Sequence, residues 1–423
     1  EKERLLLLRL CVFGRGRTLQ AIESVCSGDG LEEWEILDLL EQLISKSLIS
    51  VEQADLGESR YFMLESVWDY ARTKLQDSGD LDRVQSRHLD YFLDLARSAE
   101  EKLTGPDQVA WLEKLTPEHV NFRLALRWSA STDAGIERGL CLAGTLLRYW
   151  EVRSHMREGY EHCMALLNHP AAQNHTFARA KAMGGAGRLA WLQDQEEVSR
   201  GHYAESIALF EELGEQREVA ILHAMLGFVE WSDGRIPSAK EHFKTALEFG
   251  KAREDNYVVA IALSGLGSVA RSAGDLVTAR LYKIESLAAY RNIGDRWIVT
   301  LLCYSLARVV IMDGDYQAAR HALSESAQNA EKLGNEWLMP ALIESYGEIA
   351  LGEKNHALAA KLYGAAEVLR ERLSLPPPPT ERATYDRLVG QIRAGSTPED
   401  FAEAWAAGRA LATDEALRLA LEM

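Results

Sequence analysis

The chain is 423 residues long, enough for about three domains or one extended repeat array. Its 47 Lys and Arg stand against 64 Asp and Glu, a formal charge of −17, which excludes a protein that grips nucleic acid over its whole surface. Four of its 10 Pro are consecutive, Pro376 to Pro379, so the remaining six leave long stretches without a helix breaker and the composition reads as mostly α. The cysteines Cys11, Cys26, Cys141, Cys163 and Cys303 show no C-x-x-C spacing and no scaffold density, which indicates a reducing, cytoplasmic setting. No apolar run reaches the roughly 18 residues that span a bilayer, so no membrane association is expected. A chain that starts at Glu1 without a signal-peptide pattern reads as a piece of a longer protein.

Residues 1–77 predict a winged-helix domain. Leu5 to Phe13 is an apolar helix, Thr18 to Val25 a second capped by Thr18, and Leu31 to Ser45 a third with Trp34, Leu37, Leu40 and Ile44 on one face. Two β-like runs, Leu48 to Val51 and Arg60 to Leu64, flank a polar stretch containing Gly57 and form a hairpin, after which Glu65 to Leu75 returns to helix. Over Leu31 to Ser47, the third helix and its end, Glu32, Glu33, Glu35, Asp38 and Glu41 stand against the single base Lys46. That charge repels phosphates, so the domain is expected to pack against protein and direct DNA contact is not.

Residues 78–178 predict a helical connector, with Trp111, Trp128 and Trp150 at core-like spacing and loops at Gly105-Pro106 and near Pro170. A degenerate repeat is expected at its end, around Gly159, Cys163 and Leu166.

Residues 179–375 predict five repeats of 40 residues. Gly187, Gly227, Gly267, Ala307 and Gly347 form one column; Ser199, Ala239, Ala279, Ala319 and Ala359 form a second, and Ser206, Ala246, Ser286, Ser326 and Ala366 a third. Turn residues at Asp194, Gly234, Gly274, Gly314 and Lys354-Asn355 separate the first two columns. Each unit is therefore a helix, a tight turn and a second helix, with small residues permitting close approach and Tyr203, Phe243 and Tyr363 filling the gaps. Gly214, Gly294 and Gly334 suit the left-handed position after the second helix. The pattern resembles a lengthened tetratricopeptide repeat, which implies an all-α solenoid with a concave binding face. Residues 376–423 then predict a polyproline spacer and a helical cap, with Phe401, Trp405, Leu411 and Leu417 at helical spacing.

Taken together, the run Arg60 to Ala71, the segment Gly105 to Trp128, the repeats and the tail Phe401 to Leu421 resemble the C-terminal half of bacterial signal-transducing ATPases of the antibiotic-regulator and LuxR-type class. The resemblance implies an upstream nucleotide-binding domain and a role in transcription regulation. Two departures stand out. No G-x-x-x-x-G-K-[ST] loop occurs, so no ATP cradle is present in this stretch. Where related nucleotide switches carry a Met-His-Asp triplet that contacts the nucleotide phosphate, this chain has Met63, Leu64 and Glu65, and Leu64 has no side-chain donor.

Gly184-Gly185-Ala186-Gly187 falls inside a repeat helix and not between a strand and a helix, which argues against a phosphate loop. His155, His162, His169 and His175 lack metal-ligand spacing, no nucleophile elbow is present, and neither an enzyme nor a cofactor is expected. Positions one and four after the first small column should face the groove. The expected contact residues are Arg188, Trp191, Phe228, Trp231, Arg271 and Arg308, joined by Tyr304. Guanidinium groups interleaved with aromatics suit an inducer ligand with an anionic group or an acidic peptide or protein partner. The expected function is a sensor and scaffold that relays occupancy through the winged helix; the rival is a DNA-binding regulator acting through the winged helix itself.

Overall fold

The computed structural model describes residues 1–14, 16–53, 59–377 and 379–423. They fall into two compact units, one made of Glu1–Lys102, Ala110–Leu147 and Gly159–Gly185, the other of Leu103–Val109, Arg148–Glu158 and Ala186–Met423.

The first unit opens with a winged helix. Helices α1 (Lys2–Arg9), α2 (Leu19–Cys26), α3 (Ile36–Ser45) and α4 (Glu65–Asp77) surround three short antiparallel strands, β1 (Arg17–Thr18), β2 (Ile49–Gln53) and β3 (Ser59–Met63). The strand order is β1-β3-β2, with Ile49 opposite Met63 and Arg17 opposite Tyr61. Thr18 caps α2 through the Ala21 N–H, as its position in the sequence predicts. The third helix corrects the expected face: Ile36, Leu39, Leu40 and Leu43 are buried, whereas Trp34 is 75% and Leu37 42% exposed. Ile36 lies one position away from Leu37, which rotates the buried stripe by about a third of a turn. Strand β1 was invisible in the sequence because it is two residues long. The expected hairpin turn at Gly57 lies outside the described residues.

Helices α5 (Leu81–Glu100), α6 (Gln108–Leu115), α7 (His119–Ser129), α8 (Ile136–Thr145), α9 (Leu147–Val152) and α10 (Met156–Leu167) follow. Phe13, His88, Phe92 and Phe122 form a ring cluster in which burial pushes the His88 imidazole down to about 3 and keeps it neutral. A polar chain runs beside it. Arg60 of β3 pairs with Glu118 at 2.6 Å, Glu118 accepts from Asn121 of α7 at 2.6 Å, and Asn121 accepts from the Gly14 N–H at 2.8 Å.

The repeats are helix pairs: α11 (Phe177–Trp191) with α12 (Glu196–Leu213), α13 (Gln216–Ser232) with α14 (Ile236–Arg253), α15 (Asn256–Ser272) with α16 (Leu276–Ile293), α17 (Arg296–Met312) with α18 (Tyr316–Lys332), and α19 (Met339–Gly352) with α20 (His356–Leu373). The small columns work as expected. A Cβ at Gly227 would lie 2.8 Å from the Phe243 ring, and one at Gly347 2.7 Å from Tyr363. Serine suits the third column because its hydroxyl reaches the partner helix: Ser286 Oγ donates to the Ala260 carbonyl at 2.7 Å and Ser326 Oγ to Thr300 at 2.8 Å. From Asp255 onward a cap recurs at Asp255, Asp275, Asp295, Asp315 and Asn355, each accepting a backbone N–H in the first turn of its helix, and Asn335, in the same phase, accepts the Leu338 N–H in the turn before α19. Gly214, Gly294 and Gly334 take the left-handed conformation at φ 78, 86 and 61°. Asp194 and Lys354, which replace glycine in the tight turn, follow with φ 56 and 65°.

First helices of successive repeats touch one another, α13 with α15, α15 with α17 and α17 with α19, and so form the inner wall. Three helices follow the proline run: α21 (Pro379–Ala394), α22 (Pro398–Arg409) and α23 (Thr413–Leu421). α22 lies on α20, where a Cβ at Gly364 would meet the Trp405 carbonyl at 2.4 Å, and α23 buries Ala416, Leu417 and Ala420 against the core of the last repeats. α21 was not expected from the sequence, in which the prolines read as an extended spacer. Among the described residues no helix is long and apolar enough to cross a membrane.

Candidate functional site

The inner wall of the repeats carries the side chains singled out in the sequence, and the structure sorts them into two groups. In the first, Arg188 and Trp191 lie on α11, Phe228 and Trp231 on α13, and Arg271 on α15. The Arg188 guanidinium sits 4.7 Å from the Trp191 ring centre and Arg271 5.4 Å from that of Trp231. Trp191 lies at 6.1 Å from Phe228 with the two rings tilted by 35°, and Phe228 meets Phe243 edge-on at 4.9 Å. Each indole N–H reaches one repeat forward: Trp191 donates to Ser232 Oγ and Trp231 to Ser272 Oγ, both at 2.9 Å. The tryptophans thus bind repeat to repeat while presenting an edge to the wall.

Arg188 is held from behind. Its Nε donates to Glu151, whose other oxygen accepts from Arg148 at 3.1 Å, and Arg148 reaches Asp295 at 3.3 Å. All four side chains are largely or wholly buried. Burial pushes the Glu151 carboxyl up, but Arg188 and Arg148 more than offset this and hold it below the usual carboxylate range. Asp295 is pushed up by burial despite Arg148. The same edge is tied at further points: Gln108 bonds Asp295 at 3.1 Å and accepts from the Trp297 N–H at 2.9 Å, Arg153 donates to the Leu333 carbonyl at 3.0 Å, and Asn335 donates to the Val152 carbonyl at 2.8 Å. No periodic pattern marks this latch, because its partners are distant in the chain.

The second group holds Tyr304 and Arg308 of α17. They line a cleft of ≈ 350 Å³, part of it open to solvent, together with Glu344, Tyr363, Arg370 and Tyr385. Arg308 pairs with Glu348 one repeat on. Arg370 grips Glu344 with two nitrogens at 2.6 and 2.7 Å and donates to the Leu375 carbonyl at 3.1 Å, two residues before Pro377, which also lines the cleft. The Tyr363 and Tyr385 rings lie 5.5 Å apart, tilted by 50°, and burial pushes both phenols up, so both keep their protons at neutral pH. Such a lining offers phenol and guanidinium donors, carboxylate acceptors and aromatic faces in one depression, the makings of a site for a mixed polar and apolar ligand. Glu344, Arg370 and Tyr385 are not among the residues expected from the sequence. Glu344 and Arg370 lie off the two columns used there, and Tyr385 is on the unforeseen α21.

On the winged helix, acids and exposed apolar groups share one surface. Trp34 and Leu37 are open to solvent among Glu32, Glu33 and Asp38, while Glu35 pairs with Lys2. Leu64 caps nothing with its side chain and is exposed at the start of α4.

Comparisons with known proteins agree with this architecture. Residues 1–76 match the family model of a winged helix-turn-helix domain. A Mycobacterium tuberculosis protein provisionally named as an HTH-type transcriptional regulator is 31% identical over 265 residues, covering 61% of this chain and 29% of its own length. The chain thus spans less than a third of that curated relative. Among solved structures, a signal transduction ATPase with numerous domains and a tetratricopeptide repeat sensor from Pyrococcus horikoshii superposes with a TM-score of 0.58 at 16% identity, over 93% of this chain and 53% of that one. A Rap protein complexed with Competence and Sporulation Factor superposes with a TM-score of 0.54 at 14% identity, over 81% of this chain and 100% of that one. The fold is that of a winged helix joined to a tetratricopeptide-like solenoid.

Proposed function

We propose that this chain is the sensor and relay segment of a bacterial signal-transducing regulator, similar to the LuxR-type and antibiotic-regulator ATPases. The repeat wall binds an inducer or a protein or peptide partner, and the winged helix passes occupancy to an upstream nucleotide-binding domain. The observation that carries this reading is the cleft between Tyr304, Arg308, Arg370 and Tyr385, which combines ion-pairing and aromatic groups on an inner wall of repeats. The likeness to a solenoid solved with a bound factor supports a peptide or protein as the occupant. No catalytic constellation enters the reading, and no cofactor of this chain does. The Arg60, Glu118 and Asn121 chain offers a route by which the wing senses displacement of α7.

The test is selection of the chain against a displayed library of acidic, aromatic peptides, followed by calorimetry of the enriched peptides. Enrichment of sequences that lose about tenfold in affinity on Arg308→Ala or Tyr385→Phe supports the reading. Absence of enrichment, or affinities indifferent to both changes, counts against it.

The relative named as a transcriptional regulator favours one other reading, direct DNA contact by the winged helix. Titration with a generic duplex at low and high salt separates the two. The acids Glu32, Glu33, Asp38 and Glu41 beside exposed Trp34, in and just before α3, predict no salt-dependent binding.

A further inference from the structure

Helix α16, the second helix of the third repeat, presents an apolar stripe to solvent. Val277 is 84%, Leu281 53% and Ile284 47% exposed, and Ala288 continues the line. The spacing is four, three and four residues, which keeps all of them on one narrow face. The other repeats do not share it. In the column of Leu281 stand Gly201, Glu241, His321 and Lys361; in that of Ile284 stand Ala204, Lys244, Ser324 and Gly364. Neither column serves the helix pairing inside a repeat, since Ala279, Lys283, Ser286 and Leu287 of α16 do that from the opposite, buried side. An outward stripe of β-branched and leucine side chains in a single repeat therefore has a use outside the repeat's own packing.

The chain shows what these columns accept. In the fifth repeat, Lys361 and Gly364 are covered by α22, with the positions of Gly408 and Trp405 set against them. The outer face of a second helix thus takes another helix lengthwise, through the same two columns. On α16 those columns are apolar and open.

We infer that α16 is a self-association surface, on which the α16 helix of a second copy of this chain packs in parallel. The charges choose this occupant. Arg280 and Glu285 flank the stripe on opposite sides, five residues apart, the offset at which two parallel copies of one helix bring an Arg of each against a Glu of the other. Glu285 is exposed and has no ion pair among the described residues; Arg280 contacts Asp315 at 3.1 Å with its side chain partly open to solvent. A parallel pair therefore gains two symmetric Arg280–Glu285 contacts around a Val277, Leu281, Ile284 and Ala288 seam. The seam is shorter than an interface of about 800 Å² per partner, so the association is weak, with a dissociation constant on the order of 10 µM or above. This surface is distinct from the inner wall, and the inference stands or falls independently of the ligand reading.

Sedimentation velocity of the chain from about 1 to 200 µM tests it over the range such a dissociation constant requires. The wild-type chain is expected to shift from monomer to dimer, and Leu281→Glu to remain monomeric with unchanged helical circular dichroism. Arg280→Glu and Glu285→Arg each weaken the dimer, and the two together restore it, a rescue that only a direct contact between the two positions gives. A wild-type chain that stays monomeric throughout, including one that holds a foreign helical protein instead, overturns the inference. So does a dimer that survives Leu281→Glu.

Discussion

Lys283 Nζ lies 2.7 Å from the Ser264 carbonyl oxygen and 2.9 Å from Ser268 Oγ, in the column that Tyr203, Phe243 and Tyr363 fill in other repeats. The ammonium is fully buried and its acceptors are neutral oxygens of α15. Burial, aided by nearby Arg271, brings its pKa down to about 7 from the ordinary lysine value. A folded pKa below the unfolded one penalises the charged form. That penalty is complete below pH 7 and is relieved as the pH rises toward the unfolded value of about 10.4. The expected outcome is that Lys283→Met is more stable than the wild type at pH 6.5, and that the gap in urea midpoint shrinks by pH 9. Buried tyrosines act in the opposite sense at high pH, since their raised folded values favour the protonated form. The difference between variant and wild type removes that contribution. A gap that is constant with pH contradicts a shifted lysine.

The second small column is set by contact, not by chance. Ala279 and Ala319 have no exposed surface. Ala279→Trp and Ala319→Trp should each overpack the seam between the two helices of a repeat, at a cost on the order of 1–3 kcal/mol or more. Thermal melts of both variants check this, and a melt coincident with the wild type places the column elsewhere.

The repeat was legible because close helix approach demands small residues, and small residues recur visibly at a fixed period. The columns at Gly227 and Gly347 and the left-handed turns at Gly214 and Gly294 therefore fell where the sequence put them. Hydrophobicity alone misled at the third helix of the winged domain: Trp34 reads as core and is exposed. The prolines hid α21, because Pro379 can open a helix as well as prolong a spacer. Of the inner wall, the columns supplied Arg308 and Ala307 located Tyr304 three places before it, but Glu151 behind Arg188 could not be foreseen, since ion pairs between distant segments leave no periodic trace.

This chain lacks a phosphate-binding loop, and Gly184 to Gly187 lie within helix α11 with their backbone N–H groups committed to the helix. Calorimetry with ATP and magnesium is expected to show no heat of binding. Micromolar binding requires a nucleotide site in the winged helix or the repeats that neither motif nor geometry indicates.

The paired arginines and tryptophans of the wall separate affinity from stability. Trp231 is only half-buried, and its indole N–H bond to Ser272 is one contact among many between the second and third repeats. Arg271→Ala and Trp231→Ala are each expected to weaken binding of a selected acidic peptide by about tenfold while leaving the helical circular dichroism unchanged. If Trp231→Ala unfolds the chain, the indoles serve packing between repeats. If Arg271→Ala binds as tightly as the wild type, the peptide uses the Tyr304 and Arg308 cleft alone.

The latch behind Arg188 answers to a double-mutant cycle. Glu151 accepts from both Arg188 and Arg148, and Arg148 also serves Asp295, so one buried carboxylate stands between two guanidiniums. Removing its charge by Glu151→Gln leaves Arg188 without its carboxylate in a low-dielectric setting and is expected to cost about 3–5 kcal/mol. Arg188→Met alone leaves Glu151 with Arg148 as its remaining partner, a smaller loss. In the double variant the charge of Arg188 goes with that of Glu151, so the combined cost falls short of the sum of the two single changes. Urea unfolding of the four proteins yields the coupling energy. Strict additivity means that the two side chains are neighbours without an energetic bond, and it would remove the latch as the element that fixes the first repeat to the Asp295 edge.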